Sequence, residues 1–464
     1  MRILLVNPPI PRSFYNREFH LPAGLLAIAA VLKRNGDDVT ILDLKAAQHK
    51  NPAMTDEDYD RELVKAAARV KPEMVGFGGL FSGNFRDVLR MSRLSKQEFP
   101  DVPVIMGGVH AVMFAEDILK HCRSFDWLAL GEADDTMVDL VNMMKQQKTD
   151  WERLQSFAYR RNDGVPVINP RLRYIRDLDA LPFPAYDLIN FTDYEVDTSG
   201  WHNPKNLVFK MEVPIHTSRS CPFDCNFCAA KRIMGRGWRA RSPRNVADEI
   251  ELLYHKYGQR HFAFMDDNFT FQKDRLLGIC SEIGKRNLDI QFETHNGVSI
   301  KTLDEEMIDA MVGAGLTRIA LPIESGSDFI RNTVMRKGLP RERIDDVVRW
   351  LRKHSQKISI RAFFIIGMPE ETPETLQDTY NMIRDLRFDK VHLTNIVPFP
   401  GTAVFEQAMR DGLFTNKIDL DNLYLADTQY QTNFRHFSIK PYKMTVEQLL
   451  EFRERCEAMT YQHA

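Results

Sequence analysis

No apolar run in this sequence is long enough to cross a bilayer: the most apolar stretch, Leu21–Leu32, falls short of the roughly 20 residues a spanning helix needs and is closed by Lys33 and Arg34. The N-terminal Met1-Arg-Ile-Leu-Leu-Val-Asn-Pro-Pro9 lacks a signal peptide's length and small-residue cleavage site, so no transmembrane segment and a cytoplasmic location are expected. Six cysteines in 464 residues are too few for a disulfide scaffold. Neither sign of charge dominates: 62 Lys and Arg against 64 Asp and Glu leave a net charge of −2, with no basic block, so no nucleic-acid partner is expected. No G-x-G-x-x-G follows the first apolar run, which argues against a dinucleotide-binding sheet.

What is present is ordinary globular material, 44% hydrophobic and 27% charged, in a chain long enough for two or three domains. Up to about residue 145, short β-branched runs (Ile3–Val6, Val39–Leu42, Met74–Phe77, Val104–Met106, Trp127–Leu130) alternate with helical periods (Leu25–Lys33, Tyr59–Val70, Phe85–Phe99). That alternation predicts an α/β domain over 1–145 with a Rossmann-like, doubly wound parallel sheet. Its strands end in small, turn-forming residues: Asn7-Pro8-Pro9, Gly78-Gly79, Gly107-Gly108 and Gly131-Glu132. Residues 146–205 lose the period and read as a linker that crosses an interface. A second alternating series over 206–400, with strands near 214–218, 261–265, 289–294, 317–323, 358–365 and 390–397, predicts a partial (β/α)6 barrel. Ser242 and Pro243 mark the N-cap and first turn of one of its helices. Residues 401–464 read as a helical extension whose Leu449, Leu450, Phe452 and Met459 can pack on either domain.

Three of the six cysteines fall within eight residues, in Ser220-Cys-Pro-Phe-Asp-Cys-Asn-Phe-Cys228. The loop follows the first barrel strand, at the carboxyl end where a barrel's chemistry sits. Three thiolates can cap three irons of a cubane and leave the fourth open. Structural zinc or a chance spacing are the bland alternatives, but zinc wants a fourth Cys or His at matching spacing; His216 precedes the loop within the strand, and Cys122, Cys280 and Cys456 stand alone.

This loop resembles the signature of the radical S-adenosylmethionine (SAM) superfamily. The resemblance implies that Cys221, Cys225 and Cys228 bind a [4Fe-4S] cluster, that SAM chelates the open iron, and that one electron cleaves SAM to a 5′-deoxyadenosyl radical. Phe227 matches the position that approaches the adenine. Further matches follow in order. Phe264-Met-Asp-Asp-Asn-Phe269 resembles the acidic stretch near the SAM amino group, and Ile323-Glu-Ser-Gly-Ser327 the ribose-contacting segment. Phe364–Thr372 and Val397–Thr402 resemble the fifth and sixth strand ends. Asp266, Asp267, Glu324 and Ser325 thereby join the expected SAM site. The bare chemistry competes: Asp-Asp-Asn commonly forms a turn, Glu324 ends an apolar strand and needs a partner, either a ribose or an Arg, and Arg236, Trp238, Arg239 and Arg241 read first as a solvated basic stretch.

The first domain resembles the cobalamin-binding domain that precedes the barrel in a large radical SAM subgroup. The match rests on Leu4–Pro9, Gly107-Gly-Val-His110 and Gly131-Glu-Ala-Asp134. It implies cobalamin as a third cofactor, with Asn7, Pro8, Gly78, Gly107, Gly108, His110, Gly131 and Glu132 as candidate contacts and His110 on a loop near the nucleotide tail or the propionamides. No D-x-H-x-x-G is present, since His20 lacks that spacing, so the lower axial position of cobalt is expected open or water-bound. A nucleotide- or flavin-binding sheet, or one kept for packing, is the alternative. The subgroup implies methylation of an unactivated carbon or phosphorus of a small-molecule or lipid substrate, with an electron donor such as flavodoxin or ferredoxin. The rivals are a radical oxidation, cyclisation or rearrangement like that of the anaerobic porphyrin-ester cyclases, and an inactive cofactor-binding regulator.

Overall fold

Five short aliphatic runs form the parallel part of the first sheet: β1 (Arg2–Asn7), β2 (Asp38–Asp43), β3 (Met74–Gly78), β4 (Val104–Gly107) and β5 (Trp127–Ala129). The computed structural model describes residues 1–10, 20–79, 82–415, 419–425 and 437–461. The strands lie in the order β2-β1-β3-β4-β5, all parallel. Because helices cover both faces, β1 and β3 are buried almost throughout, as parallel strands between two helical layers must be. The strand order reverses between β1 and β3, which is where open α/β sheets hold their ligands. Asn7 and Gly78 end those two strands.

Part of the expected linker is sheet. β6 (Phe157–Arg160) and β7 (Pro166–Asn169) extend the first sheet beyond β5 as an antiparallel hairpin. The turn signal is Asp163-Gly164, with Gly164 at φ +84, a pair that the loss of period around it masks. Phe157 then packs beside Trp127 and Trp151. Further on, Tyr194 donates its hydroxyl to Asp43 of the first sheet at 2.5 Å and Tyr186 donates to Glu249 of a barrel helix at 2.7 Å. That segment does cross between the two units.

The second unit is a six-stranded parallel sheet: β8 (Val213–Ile215), then, after the short ribbon β9 (Ser218–Arg219) and β10 (Arg239–Ala240), the strands β11 (His261–Phe264), β12 (Gln291–Thr294), β13 (Leu316–Glu324), β14 (Ser359–Ile366) and β15 (Lys390–Asn395). Its order is β8-β11-β12-β13-β14-β15. The helix Pro243–Tyr257 starts as the sequence predicts, with Ser242 accepting from the Asn245 N–H and Pro243 in the first turn, and it ends on Gly258 at φ +67. The C-terminal helix Val446–Tyr461 buries Leu449, Phe452 and Cys456 in the barrel's core and leaves Leu450 exposed. Residues 416–418, 426–436 and 462–464 of the expected extension lie outside the described residues.

The turn after β14 buries a carboxyl group. Glu371 is fully buried, accepts from the Gly367 and Met368 N–H groups, and is pushed up to about 8 by burial against those two bonds. A carboxyl raised in the fold costs stability as pH climbs: below the unfolded value, about 4.3, both states hold the proton, and between there and about 8 only the unfolded state releases it. We therefore expect Glu371→Gln to unfold at a higher temperature than the parent at pH 8.5, by several kcal/mol of stability, and at nearly the same temperature at pH 4.5. Melting curves across that range check it; a difference that does not change with pH would refute it.

Candidate active site

The cysteine loop is closed at its feet. β9 and β10 pair with Arg219 opposite Arg239 and Ser218 opposite Ala240, so residues 220–238 project as one unit from the carboxyl end of β8. The turn out of β9 is made by Ser220 at φ +71, whose hydroxyl donates to the Gly235 carbonyl at 2.6 Å. Asn226 donates its N–H to the Met335 carbonyl and accepts the Val404 N–H, which ties the loop to the far side of the barrel. Cys221, Cys225 and Cys228 are all free thiols. Asn268 Nδ2 lies 3.9 Å from Cys221 Sγ, and the Ala230 N–H donates to Cys228 Sγ at 3.5 Å. Burial pushes all three thiols up, Cys228 to about 11; the neighbouring thiols add to the rise at Cys225 and Cys228, while Lys337 and Lys301 oppose it at Cys225. Three sulfur donors share one loop, with lysines to balance thiolate charge. That donor set suits an iron–sulfur cluster.

The residues expected around SAM divide. Asp266 is buried and already engaged: it accepts from the Thr217 N–H and hydroxyl at 2.8 and 3.1 Å and from the Ser218 N–H and hydroxyl. These bonds, to residues 48 and 49 positions back in the chain, brace the segment leading into the cysteine loop. Asp267 is exposed at the mouth and is a charge neighbour of Cys221 and Cys228. Glu324 does have a partner, but it is Lys337 at 3.1 Å rather than an arginine. A register shift between Pro322 and Glu324, with Glu324 at φ +74, turns that carboxylate out of the strand's alternation and toward Cys225; bulges re-aim side chains in this way. Ser325 is fully buried, with its hydroxyl 3.4 Å from that of Thr379. Gly326 follows because a Cβ there would fall 2.4 Å from the Asp378 carbonyl oxygen. Phe227 packs against the apolar group of Ile330, Met335 and Val404. Lys337 and Lys301 escaped sequence reasoning, since a lone lysine carries no pattern.

Of the basic stretch, Arg236 is exposed as expected, but the rest is engaged by the protein. Arg239 binds Glu132 at 2.9 Å, Arg241 pairs with Glu249, and Trp238 donates to the Asn268 carbonyl at 3.1 Å.

Inside the barrel lies a buried group that the sequence did not announce. Glu212, His261 and Glu293 bring their ligand atoms within 4.8 Å of one another. The cation among them belongs to the chain: Arg318 bonds Glu293 and stands 3.6 Å from Glu212 and 3.4 Å from His261 Nε2. Burial drives His261 down to about 3, so it is neutral. Burial and a shared hydrogen bond raise Glu212; Glu293 is held low despite burial by that same bond and by Arg318 and Arg361.

On the first sheet, Gly107 and Gly108 lie half-buried at the end of β4, Gly108 at φ +104, and Gly78 at the end of β3. These open backbones fit a bulky cofactor approaching the strand ends. Asn7 donates to Asp43 at 2.9 Å, and Pro8 is buried beside it. Three expected contacts are turned elsewhere. His110 is not on a loop: it sits in the helix Val109–Met113, fully buried between the rings of Phe85 and Phe114, with Nε2 2.9 Å from the Tyr424 carbonyl oxygen and burial lowering it to about 3. Gly131 and Glu132 meet the cysteine loop instead of an open rim. His20 lies edge-on to His295 of the barrel, with ring centroids 5.3 Å apart.

Comparison with known proteins agrees with this geometry. Residues 215–383 match the Radical SAM superfamily and residues 17–141 match the B12 binding domain. An uncharacterized methyltransferase of Pyrococcus horikoshii is 29% identical over 418 residues, spanning 89% of this chain and 84% of that protein. An anaerobic magnesium-protoporphyrin IX monomethyl ester cyclase of Rubrivivax gelatinosus is 26% identical over 415 residues, spanning 88% and 70%. The solved structure of the radical SAM methyltransferase TsrM from Kitasatospora setae, with cobalamin and a [4Fe-4S] cluster bound, shares the fold at a TM-score of 0.70 and 17% identity, over 96% of this chain and 83% of that one. With a glycine-rimmed parallel sheet placed before a three-cysteine barrel mouth, and with both domain families matched, the chain carries a radical SAM domain preceded by a B12-binding domain.

Proposed function

We propose that this chain is a cobalamin-dependent radical SAM methyltransferase acting on an unactivated carbon, or phosphorus, of a small molecule or lipid. The observation that carries the reading is the placement of three free thiols at the barrel mouth, on a loop whose two feet are held by the glycine-ended sheet. When bound, the [4Fe-4S] cluster supplies the electron that cleaves SAM, and cobalamin carries the methyl group. The chain's own part is placement and exclusion of water. Cys221, Cys225 and Cys228 hold the cluster. Phe227, Asp267, Glu324 and Ser325, with Lys337 beside Glu324, frame SAM. Asn7, Pro8, Gly78, Gly107 and Gly108 line the cobalamin side. An electron donor such as flavodoxin or ferredoxin and a cytoplasmic setting go with this reading. Among the described residues, no helix is long and apolar enough to cross a membrane.

Mass spectrometry of anaerobically reconstituted protein with SAM, hydroxocobalamin and a strong reductant tests it. Both 5′-deoxyadenosine and S-adenosylhomocysteine should accumulate, the latter only with cobalamin. Formation of 5′-deoxyadenosine alone would favour the second reading, a radical oxidation or cyclisation, which the similarity to the ester cyclase supports. Glu324→Gln should keep the cluster and weaken SAM binding on the order of tenfold, the loss of one charge-assisted contact; unchanged affinity by calorimetry removes Glu324 from the site.

A further inference from the structure

One carboxylate of the first domain holds both feet of the cysteine loop. Glu132, at the carboxyl end of β5, has a fully buried side chain. Arg219 and Arg239 stand opposite each other in the ribbon that closes the loop, and both direct their guanidinium groups to it: Arg219 at short range, Arg239 at 2.9 Å to each oxygen. Asp134 takes the rest of Arg219 in two parallel bonds of 2.7 and 3.0 Å. Arg171 closes the group, 3.9 Å from Glu132, and the Tyr174 ring lies under both Arg239 and Arg171. The loop's own helix, Ala230–Met234, is seated by shape: Ile233 packs into the first domain's core, and a Cβ on Gly131, already at φ +66, would fall 2.3 Å from the Ile233 carbonyl oxygen.

We propose that Glu132 is a positioning residue that registers the cysteine loop against the strand ends of the first domain, and so sets the separation between cluster and cobalt. This rests on the reading that both cofactors bind. The physical case is geometric. Arg219 is two residues from Cys221, and the carboxylate it binds follows β5, which pairs with β4 so that Ala129 stands opposite the strand-end glycine Gly107. Two guanidinium groups converging on one buried carboxylate, with Arg219 also held in a bidentate pair by Asp134, fix direction as well as distance. Since a displacement of about 1 Å between reacting groups can cost a hundredfold in rate, a fixed joint has a use that surface packing alone does not supply.

The test uses full-length Glu132→Gln and Glu132→Asp holoenzyme, reduced so that cluster and cob(II)alamin are both paramagnetic. Iron and cobalamin contents should match the parent, while the electron–electron distance measured by pulsed EPR should shift or broaden. The 5′-deoxyadenosine released per S-adenosylhomocysteine formed should rise on the order of tenfold, and Glu132→Asp should recover part of both. An unaltered distance and product ratio in Glu132→Gln would overturn the proposal, leaving a merely structural salt bridge. If Glu132→Gln does not fold, Asp134→Asn, which leaves Arg239 on Glu132, should show the same changes to a smaller degree, and parental behaviour there overturns it equally. Should the parent form no S-adenosylhomocysteine, methyl transfer fails, and the distance measurement still decides the role of Glu132.

Discussion

Cys225→Ala is expected to lose its cluster iron and all cleavage of SAM. Cys225 is the middle thiol of the three, the one whose electrostatic surroundings include Cys221, Glu324 and both Lys301 and Lys337. Removing it leaves two sulfur ligands for a group that needs three, and it leaves two lysines facing an apolar methyl group. Neither remaining thiol can shift to compensate, because the loop is pinned at Ser220, Asn226 and the β9–β10 ribbon. Iron assay, the visible absorption of the reconstituted protein and 5′-deoxyadenosine formation check it together. Full iron content with activity would sink the assignment of the loop. The variant should still fold, since Cys225 contributes to none of the buried clusters.

Asp266→Ala should do more damage to the fold than any other single change at the barrel mouth. Its carboxylate satisfies two backbone N–H groups and two hydroxyls of Thr217 and Ser218, all buried. Arg275 adds to the same corner by donating to the Thr217 carbonyl at 2.7 Å. An alanine leaves the two N–H groups without acceptors, at about 1–3 kcal/mol each, beside an arginine that has lost its nearby negative charge. We expect a loss of about 3–5 kcal/mol in chemical denaturation, with poor cluster incorporation, because Thr217 and Ser218 lead directly into Ser220 and Cys221. Normal stability with a specific defect in SAM binding would return Asp266 to the role its motif implies.

Those two residues show where reading a sequence succeeds and where it stops. The cysteine triplet is legible because its chemistry requires three identical ligands at short spacing, which chance seldom supplies. Asp266 is legible as important but not in its role: an acidic run at a strand end serves a ligand or braces a turn with the same letters, and only the donors around it decide. Glu324 shows the same limit. Its need for a partner follows from burial, but that partner, Lys337, lies 13 residues away in sequence and reaches it only through the bulge after Pro322.

The parallel strands of the first sheet were legible as short apolar runs, since strands buried between two helical layers must be largely apolar. The hairpin at 157–169 was not, because short strands beside polar turns leave little period to detect. His110 was misplaced for a related reason: a histidine after two glycines reads as a rim residue, whereas the helix that begins at Val109 carries it into the core.

By itself, the sequence determined the two α/β units and their order, which depend on local periodicity, and it singled out the cysteine loop through its resemblance to a family signature. The tertiary structure alone decided which charges meet. Glu132 with Arg219 and Arg239, Glu293 with Arg318, and Asp266 with Thr217 and Ser218 are pairings across 25 to 107 residues of chain. Charged side chains look alike along a sequence, and only the fold settles which of them are buried together and must be neutralised there.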